Sequence, residues 1–208
     1  THTRHISYCM TPTRFLWDGS HRYLEEFQQS GLIKKFTPLF LSYLRIWDQE
    51  ASARVGQFVA ISDFISRRIK KYYQRDSIVV HPPVDTVKFK VSNQVDDYFL
   101  MVGRLVPYKR FDLTVEVFNE LGWPLKIIGN GPEMKHLQKL AKKNIEFVGL
   151  VSDYLLPAYY ACAKAVIFPQ EEDFGIVPVE AMASGRPVIA FRAGGSLETI
   201  KEEESGLF

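Results

Sequence analysis

The sequence of 208 residues lacks the features that mark several common classes of protein. It contains only two cysteines, Cys9 and Cys162, which are too few and too isolated for a disulfide framework or a zinc site. Such sparse cysteine favours a reduced, cytoplasmic compartment. No apolar run approaches the roughly 18 residues that a membrane-spanning helix requires, and residues 1–5 are polar, unlike a secretory signal. The sequence therefore argues against the disulfide-rich and membrane-spanning classes.

Two common phosphate-binding signatures are also missing. The sequence has neither a G-x-G-x-x-G fingerprint nor a Walker A loop, which argues against NAD and ATP cradles of those kinds. What the chain does have is 46% hydrophobic residues with aromatic residues throughout, a composition typical of a folded protein. It begins without Met and stops abruptly at Phe208, so we expect a piece of a longer protein.

The net charge of +2 indicates little about partners, but its distribution is uneven. Basic residues outnumber acidic ones over positions 1–80, and the balance reverses over positions 81–208. A basic first part suits an anionic lipid surface, at about 1 kcal/mol for each basic residue near the headgroups. An ordinary solvated face explains the same charges. Peripheral contact with the inner face of a membrane therefore stays one of two interpretations, and we expect no nucleic-acid partner.

The first part of the chain has mainly helical patterns. Apolar residues recur at three- and four-residue spacing over residues 23–27 and again over 39–47. Ser62 and Asp63 are N-cap candidates for a further helix that runs through residues 67–71. Two short apolar runs predict strands, at residues 57–61 and 77–81.

Pro82 and Pro83 mark the predicted domain boundary. Two consecutive prolines cannot continue a helix or a central strand, so they form a stiff connection. We therefore assign residues 1–81 to the end of a first domain, residues 82–97 to an interdomain linker and residues 98–208 to a second domain.

The second domain alternates strands with helices. Strands are predicted at residues 98–102, 125–128, 145–148, 165–169 and 188–191, and helices at 111–118, at 154–162 with Ser152 as cap, at 178–183 closed by Gly185, and after Gly194-Gly195. This alternation predicts an α/β fold with a doubly wound parallel sheet, because parallel strands need helical crossovers. Such sheets bind ligands at the carboxyl ends of their strands. The loops after the five strands are therefore expected to line one crevice.

The loop after the first of these strands carries two cations. Gly103 allows a close approach of the backbone to a ligand, and Arg104 and Lys109 place positive charge at the strand end. Charge-assisted hydrogen bonds to a diphosphate contribute roughly 1.5–3 kcal/mol each. A solvated, basic start to the next helix is the alternative. The turn Gly129–Pro132 also offers amides to an anion, but alone it is a weak signal.

The most informative segment runs from Gln170 to Met182. Two carboxylates, Glu172 and Glu180, lie before and within a short predicted helix. Between them, Phe174–Ile176 supplies backbone N–H groups that have no intrahelical partner. A ligand with both a phosphate and a polyol matches this combination. For Glu180, stabilisation by the helix dipole in a first helical turn explains the carboxylate without any ligand.

Several motifs occur in one order along the chain. They are Gly103-Arg104 with Lys109, Gly129-x-Gly131-Pro132, Phe147-Val148-Gly149, the Glu172–Glu180 element, and Gly194-Gly195 followed by Glu198. Together they resemble glycosyltransferase family 4, the retaining enzymes of GT-B fold. The resemblance covers nearly all of residues 77–208 and is most specific over Glu172–Pro187. It implies that residues 98–208 form a Rossmann-like donor domain and that residues 1–81 are the end of an acceptor domain.

The resemblance also implies a role for individual residues. Arg104 and Lys109 would bind the donor diphosphate and stabilise it as the leaving group, and Glu172 would contact hydroxyls of the donor sugar. Glu180 would hold the ribose hydroxyls, and Val151 would lie against the base. The implied donor-binding residues are Gly103, Val151, Phe174, Gly175, Ile176 and Glu180. Family members use no metal, which agrees with the absence of a D-x-D motif.

The implied reaction transfers a hexose, with mannose as the first candidate, from a GDP- or UDP-linked donor to a glycan or lipid-linked acceptor. Two alternatives stay open: a nucleotide-sugar epimerase of GT-B fold, and a non-catalytic nucleotide-sugar-binding module. One departure from the family concerns Met10, which replaces a histidine that many relatives have after the cysteine. His5 is the nearest residue that could take the place of that histidine. Because this partner is uncertain, the sequence leaves open whether this chain is active alone.

Overall fold

A computed structural model describes residues 3–18 and 31–208, with only the backbone described over residues 31–36. The chain forms two compact units, Thr1–His81 and Pro82–Phe208. The helix predicted over residues 23–27 lies outside the described residues. Within the described ranges, no helix combines the length and the apolar composition needed to cross a membrane.

The first unit contains a three-stranded parallel sheet and three described helices. The strands are β1 (Ile6–Cys9), β2 (Gln57–Ala60) and β3 (Ser77–Val79), in the order β1-β2-β3, and the helices are α1 (Arg14–Trp17), α2 (Gly31–Ala53) and α3 (Asp63–Tyr73). Strand β1 was not predicted, because it is only four residues long and none of its side chains is buried.

Helix α3 follows from its sequence. The predicted cap is confirmed: the Ser62 hydroxyl accepts a hydrogen bond from the Ile65 amide at 3.0 Å. Ile65, Ile69 and Tyr72 recur at four- and three-residue spacing and are buried. The helix ends at Gln74, which adopts the left-handed conformation with φ of 54°.

The second unit is built on a six-stranded, fully parallel sheet. Its strands are β4 (Phe99–Val102), β5 (Leu125–Ile128), β6 (Ile145–Gly149), β7 (Val166–Phe168), β8 (Val188–Ala190) and β9 (Gly206–Leu207). The spatial order is β6-β5-β4-β7-β8-β9. Strands β4 to β8 confirm the five predicted strands to within a residue or two at each end. Strand β9 was not predicted, because a two-residue strand leaves no periodic pattern.

Five helices and a 3₁₀ turn connect these strands. They are the turn Pro107–Lys109, α4 (Phe111–Leu121), α5 (Met134–Leu140), α6 (Leu156–Cys162), α7 (Ile176–Ala183) and α8 (Ser196–Thr199). Helix α6 begins two residues later than predicted, because the Ser152 carbonyl accepts turn hydrogen bonds from the Leu155 and Leu156 amides instead. Helix α7 begins two residues earlier than predicted, at Ile176.

Both faces of the sheet are buried at its centre, in β4 and β7. Leu100 and Met101, adjacent in β4, belong to two separate hydrophobic clusters, because successive side chains of a strand point to opposite faces. This double burial explains why the sequences of β4 and β7 are continuous apolar runs. The strand order reverses between β4 and β7, and in sheets of this type the ligand crevice opens at that reversal.

The predicted linker, residues 82–97, packs on the second unit. Phe89 is buried in its core, with its ring edge-on to Tyr160 at a centroid distance of 5.7 Å. The Asp96 amide donates to the Cys162 carbonyl at 2.8 Å, and Arg186 donates to the Ser92 carbonyl. The segment therefore lies within the second unit.

Candidate functional site

The loops after β4 and β5 are packed together through glycine. The Gly103 amide donates to the Ile128 carbonyl at 2.9 Å, and the Leu105 amide donates to the Asn130 carbonyl at 3.0 Å. A Cβ at Gly129, whose φ is +138°, would overlap the Gly103 carbonyl oxygen. Only glycine permits this approach, so the Gly-x-Gly turn after β5 fixes the loop that carries the two cations.

The loops after β7 and β8 are joined in the same way. The Gly195 amide donates to the Glu172 carbonyl at 2.9 Å. A Cβ at Gly194 would overlap that same carbonyl oxygen, and a Cβ at Gly195 would overlap the backbone of Phe174. The glycine pair therefore fixes the backbone position of Glu172.

An ion pair links these two groups of loops. Lys109 Nζ lies 3.1 Å from Glu172 Oε1, and the two side chains are 16% and 18% exposed. The pair joins the loop after β4 to the loop after β7, on the two strands where the sheet order reverses. Gly103 lies behind Lys109: a Cβ there would be 3.4 Å from the ammonium nitrogen. The structure therefore places a partly buried cation and carboxylate side by side at the mouth of the predicted crevice.

Arg104 differs from Lys109 in its surroundings. Its side chain is exposed, and no carboxylate among the described residues pairs with it. Its guanidinium can therefore meet an incoming anion without first breaking an internal contact.

Helix α7 begins with Gly175, which is buried and adopts a φ of 85° as the N-cap. Because Gly175 has no side chain, the N-cap residue leaves the first-turn amides of α7 without a capping hydrogen bond. At the other end, the Gly185 amide donates to the Met182 carbonyl and the Arg186 amide to the Ala181 carbonyl, both at 2.9 Å. This is a Schellman motif, and it confirms the predicted closure at Gly185.

The helix-dipole explanation for Glu180 is wrong. Because α7 begins at Ile176, Glu180 lies in the second turn, and the first turn contains no acidic residue. Its Oε2 instead accepts a hydrogen bond from the Tyr160 hydroxyl on α6, at 2.8 Å. Burial raises the pKa of the Glu180 carboxyl, while the Tyr160 hydrogen bond and the charge of Lys88 act in the opposite direction.

Val151 lies in the loop after β6 and is half-buried against the core cluster that contains Leu100 and Tyr160. The Gly129 amide donates to the Gly149 carbonyl at 2.8 Å, which ties this loop to the turn after β5. All the predicted site residues thus lie in loops that follow β4, β6 and β7, or in α7.

The described contacts bring only some of these residues together. Gly103, Lys109 and Glu172 form one group, whereas Glu180 is joined to Tyr160. Sequence reasoning missed Tyr160. In an apolar helix, a tyrosine is expected to be a core residue. Its hydrogen-bond partner, Glu180, lies on the next helix and comes close only because α6 packs on α7.

In the first unit, His5 and Met10 line an open cleft of about 490 Å³. Asp48 and Tyr73 also line it, and the Tyr73 hydroxyl donates to the Asp48 carboxylate at 2.9 Å. Met10 is exposed. This cleft belongs to the first unit alone.

Comparisons with known proteins identify relatives along most of the chain. An uncharacterized glycosyltransferase of Methanocaldococcus jannaschii is 30% identical over 169 residues, which cover 78% of this chain and 48% of the relative. A GDP-mannose-dependent alpha-(1-6)-phosphatidylinositol monomannoside mannosyltransferase of Mycobacterium tuberculosis is 36% identical over 124 residues, covering 51% of this chain and 32% of the relative. The chain thus spans about half the length of these relatives, or less.

A solved structure shows the same fold. Anabaena HepE, crystallised with UDP and glucose, matches with a TM-score of 0.70 at 21% identity, over 78% of this chain and 52% of that one. Together with the parallel sheets described above, this match confirms the α/β fold of GT-B type. The family model for glycosyl transferases group 1 matches residues 83–208, more than half of the chain. The chain therefore belongs to the group 1 glycosyltransferase family.

Proposed function

We propose that the second unit binds the donor of a retaining hexosyltransferase, a nucleoside-diphosphate sugar. The protein transfers the hexose, with mannose as the first candidate, to a glycan or lipid-linked acceptor. The observation that carries this proposal is the Lys109–Glu172 pair at the reversal of the strand order, with the exposed cation of Arg104 on the same loop.

The cations serve the diphosphate. Lys109 and Arg104 follow β4 and provide N–H donors and positive charge for the phosphate oxygens, at roughly 1.5–3 kcal/mol for each charge-assisted contact. Negative charge develops on the diphosphate as the sugar leaves, so the same contacts strengthen in the transition state. Because these side chains supply the positive charge, we propose that donor binding needs no metal ion.

The carboxylates serve the sugars. Glu172 accepts hydrogen bonds from hydroxyls of the donor hexose, and the amides at Phe174–Ile176 contact the sugar or the phosphate. Glu180 accepts from the ribose hydroxyls, and Val151 lies against the base. The ion pair with Lys109 fixes the Glu172 carboxylate before the donor arrives.

In the proposed reaction, the bond between the anomeric carbon and the diphosphate oxygen breaks, and a bond from that carbon to the acceptor oxygen forms on the same face. The acceptor proton passes to the departing phosphate oxygen. The reaction needs no further reactant. Because the new bond forms on the same face, the anomeric configuration is retained.

The names of similar proteins support GDP and UDP equally as the nucleotide of the donor. The mycobacterial relative is GDP-mannose-dependent, and HepE was crystallised with UDP and glucose. Two other activities stay open: an epimerase of the same fold, and a binding module without transfer activity.

The test uses the 208-residue chain with GDP-mannose and UDP-glucose, in the presence of EDTA. Saturation-transfer nuclear magnetic resonance is expected to show contacts to the nucleotide and to the hexose of at least one donor. Release of free UDP together with an epimerised sugar, without acceptor, would favour the epimerase. Absence of contact with either donor in a folded sample would contradict the proposal, and a requirement for Mg²⁺ would contradict its metal-free part.

A further inference from the structure

Tyr160 is a fully buried tyrosine whose hydroxyl is directed at the proposed ribose-binding carboxylate. It lies on α6, has no exposed surface and donates to Glu180 Oε2 at 2.8 Å. Burial and the neighbouring carboxylate raise the pKa of this phenol well above its ordinary value. The hydroxyl therefore stays protonated and remains a donor to Glu180.

The ring of Tyr160 and its hydroxyl serve different purposes. The ring fills core volume and packs edge-on against Phe89, a contact that phenylalanine would make equally well. The hydroxyl adds a polar atom to the core, which is favourable only because it has a partner. Its hydrogen bond with Glu180 therefore needs an explanation beyond packing.

The hydrogen bond restricts the Glu180 carboxylate. It engages Oε2, and no hydrogen bond among the described residues engages Oε1. A carboxylate held by one oxygen keeps the other oriented and free to accept. Two adjacent hydroxyls of a ribose are donors of the kind that such an oxygen binds.

We propose that Tyr160 is a positioning residue that sets the preference of the site for ribonucleotides over 2′-deoxyribonucleotides, by holding Glu180 through Oε2. The proposal rests on the proposed function, in which Glu180 binds the ribose. Tyr160 itself does not touch the nucleotide.

The charges around Glu180 bear on the test. Besides Tyr160, Lys88 favours the ionised carboxylate and Asp153 opposes it, and burial also raises the Glu180 pKa. Tyr160→Phe removes one of the two groups that favour ionisation. The pKa of Glu180 is therefore expected to rise further in this variant, and the pH at which ribose preference is half lost moves upward.

The experiment measures the affinities of GDP and 2′-deoxy-GDP, or of UDP and 2′-deoxy-UDP, by calorimetry. The wild-type chain is expected to prefer the ribonucleotide by about tenfold or more, the value of one hydrogen bond to a charged acceptor. Glu180→Gln reduces the ratio to near one, and Tyr160→Phe reduces it severalfold. Tyr160→Phe in the Glu180→Gln background produces no further change, because the hydroxyl acts through the carboxylate.

The matched control is Tyr159→Phe. Tyr159 precedes Tyr160 on α6 and is half-buried. Its backbone carbonyl accepts from the Tyr98 hydroxyl and its ring face lies near Lys126, and phenylalanine keeps both contacts. This variant is expected to retain the wild-type ratio. Thermal unfolding of each variant confirms that the protein is folded before its affinities are compared.

The outcomes separate the inference from the proposed function. If Glu180→Gln loses the ribose preference and a folded Tyr160→Phe keeps it, Tyr160 is merely structural and the inference fails while the proposed function stands. If Glu180→Gln keeps the preference, both the inference and the ribose role of Glu180 fail. A measurement without mutation covers the case in which Tyr160→Phe does not fold: the Tyr160 hydroxyl proton is expected to shift with the ribonucleotide more than with the deoxyribonucleotide, and equal shifts overturn the inference.

Discussion

Lys109 Nζ and Glu172 Oε1 lie 3.1 Å apart, and they come from the loops that follow the two central strands of the second unit. Because both side chains are largely removed from solvent, each compensates a charge that would otherwise be poorly solvated. The pair therefore holds together two loops that are fixed separately by their own glycine contacts. In the proposed function, an anion or a sugar that enters the predicted crevice meets both charges in a prearranged position.

Mutual compensation predicts coupling between the two residues. Lys109→Met and Glu172→Gln are each expected to destabilise the protein, since each leaves the remaining charge partly buried and unpaired. The double variant is expected to lose less stability than the sum of the two, by about 0.5–3 kcal/mol, the usual coupling of contacting residues. Urea unfolding of the four proteins measures this quantity. Strict additivity would show that the two charges do not interact.

A glycine prediction tests how the cation loop is fixed. Gly129→Ala places a Cβ against the Gly103 carbonyl, so the loop that carries Arg104 and Lys109 has to move. Gly122→Ala is the matched control, because Gly122 also has a positive φ, of +69°, but its Cβ would have no neighbour within 4 Å.

The control is expected to cost about 1–2 kcal/mol of stability through backbone strain alone, without loss of nucleotide affinity. Gly129→Ala is expected to cost more and to weaken nucleotide binding as well. Thermal unfolding and calorimetry provide the two readouts. If the two substitutions have equal effects on stability and on nucleotide affinity, the close packing at Gly129 does not contribute to the site.

The raised pKa of Glu180 predicts a pH dependence of stability. Its folded-state pKa lies above the ordinary value of 4.5, so the native state binds more protons than the unfolded state between those two values. Stability from this group is present below the ordinary pKa and is lost as the pH rises through the folded one. Glu180→Gln removes this pH-dependent loss of stability, because a glutamine side chain does not titrate.

The free energy of unfolding, measured in urea at several pH values, shows this directly. The wild type is expected to lose stability relative to Glu180→Gln as the pH rises through the window, and the difference becomes constant above it. If the difference in the free energy of unfolding between the two proteins does not change with pH, or changes in favour of the wild type, folding does not raise the Glu180 pKa.

Much of the second unit could be predicted from its sequence. Strands β4 and β7, which are buried on both faces, have continuous apolar runs that predict them closely. The parallel sheet then places the loop of Lys109 and the loop of Glu172 at one edge, without any knowledge of side-chain contacts. The sheet order and the ion pair itself required the structure.

The errors have physical causes of their own. The prediction that Glu180 lies in a first helical turn depends on a helix that starts at Pro178, whereas α7 begins at Ile176 with a glycine cap. Strand β1 lacks buried side chains and β9 has two residues, so neither produces a pattern. The contact of Tyr160 with Glu180 depends on the packing of two helices, for which a single sequence contains no signal.

The central claim is that the second unit binds a nucleoside diphosphate through Lys109. Calorimetric titration of the chain with GDP and with UDP tests it most directly. Lys164→Ala is the control, because Lys164 is an exposed cation that pairs with Asp97 and lies two residues before β7, outside the loops of the site. Binding of at least one nucleotide in the micromolar-to-millimolar range is expected, weakened by about 1.5–3 kcal/mol in Lys109→Ala and unchanged in Lys164→Ala. A folded sample that binds neither nucleotide, or that binds equally well without the Lys109 ammonium, would contradict the claim.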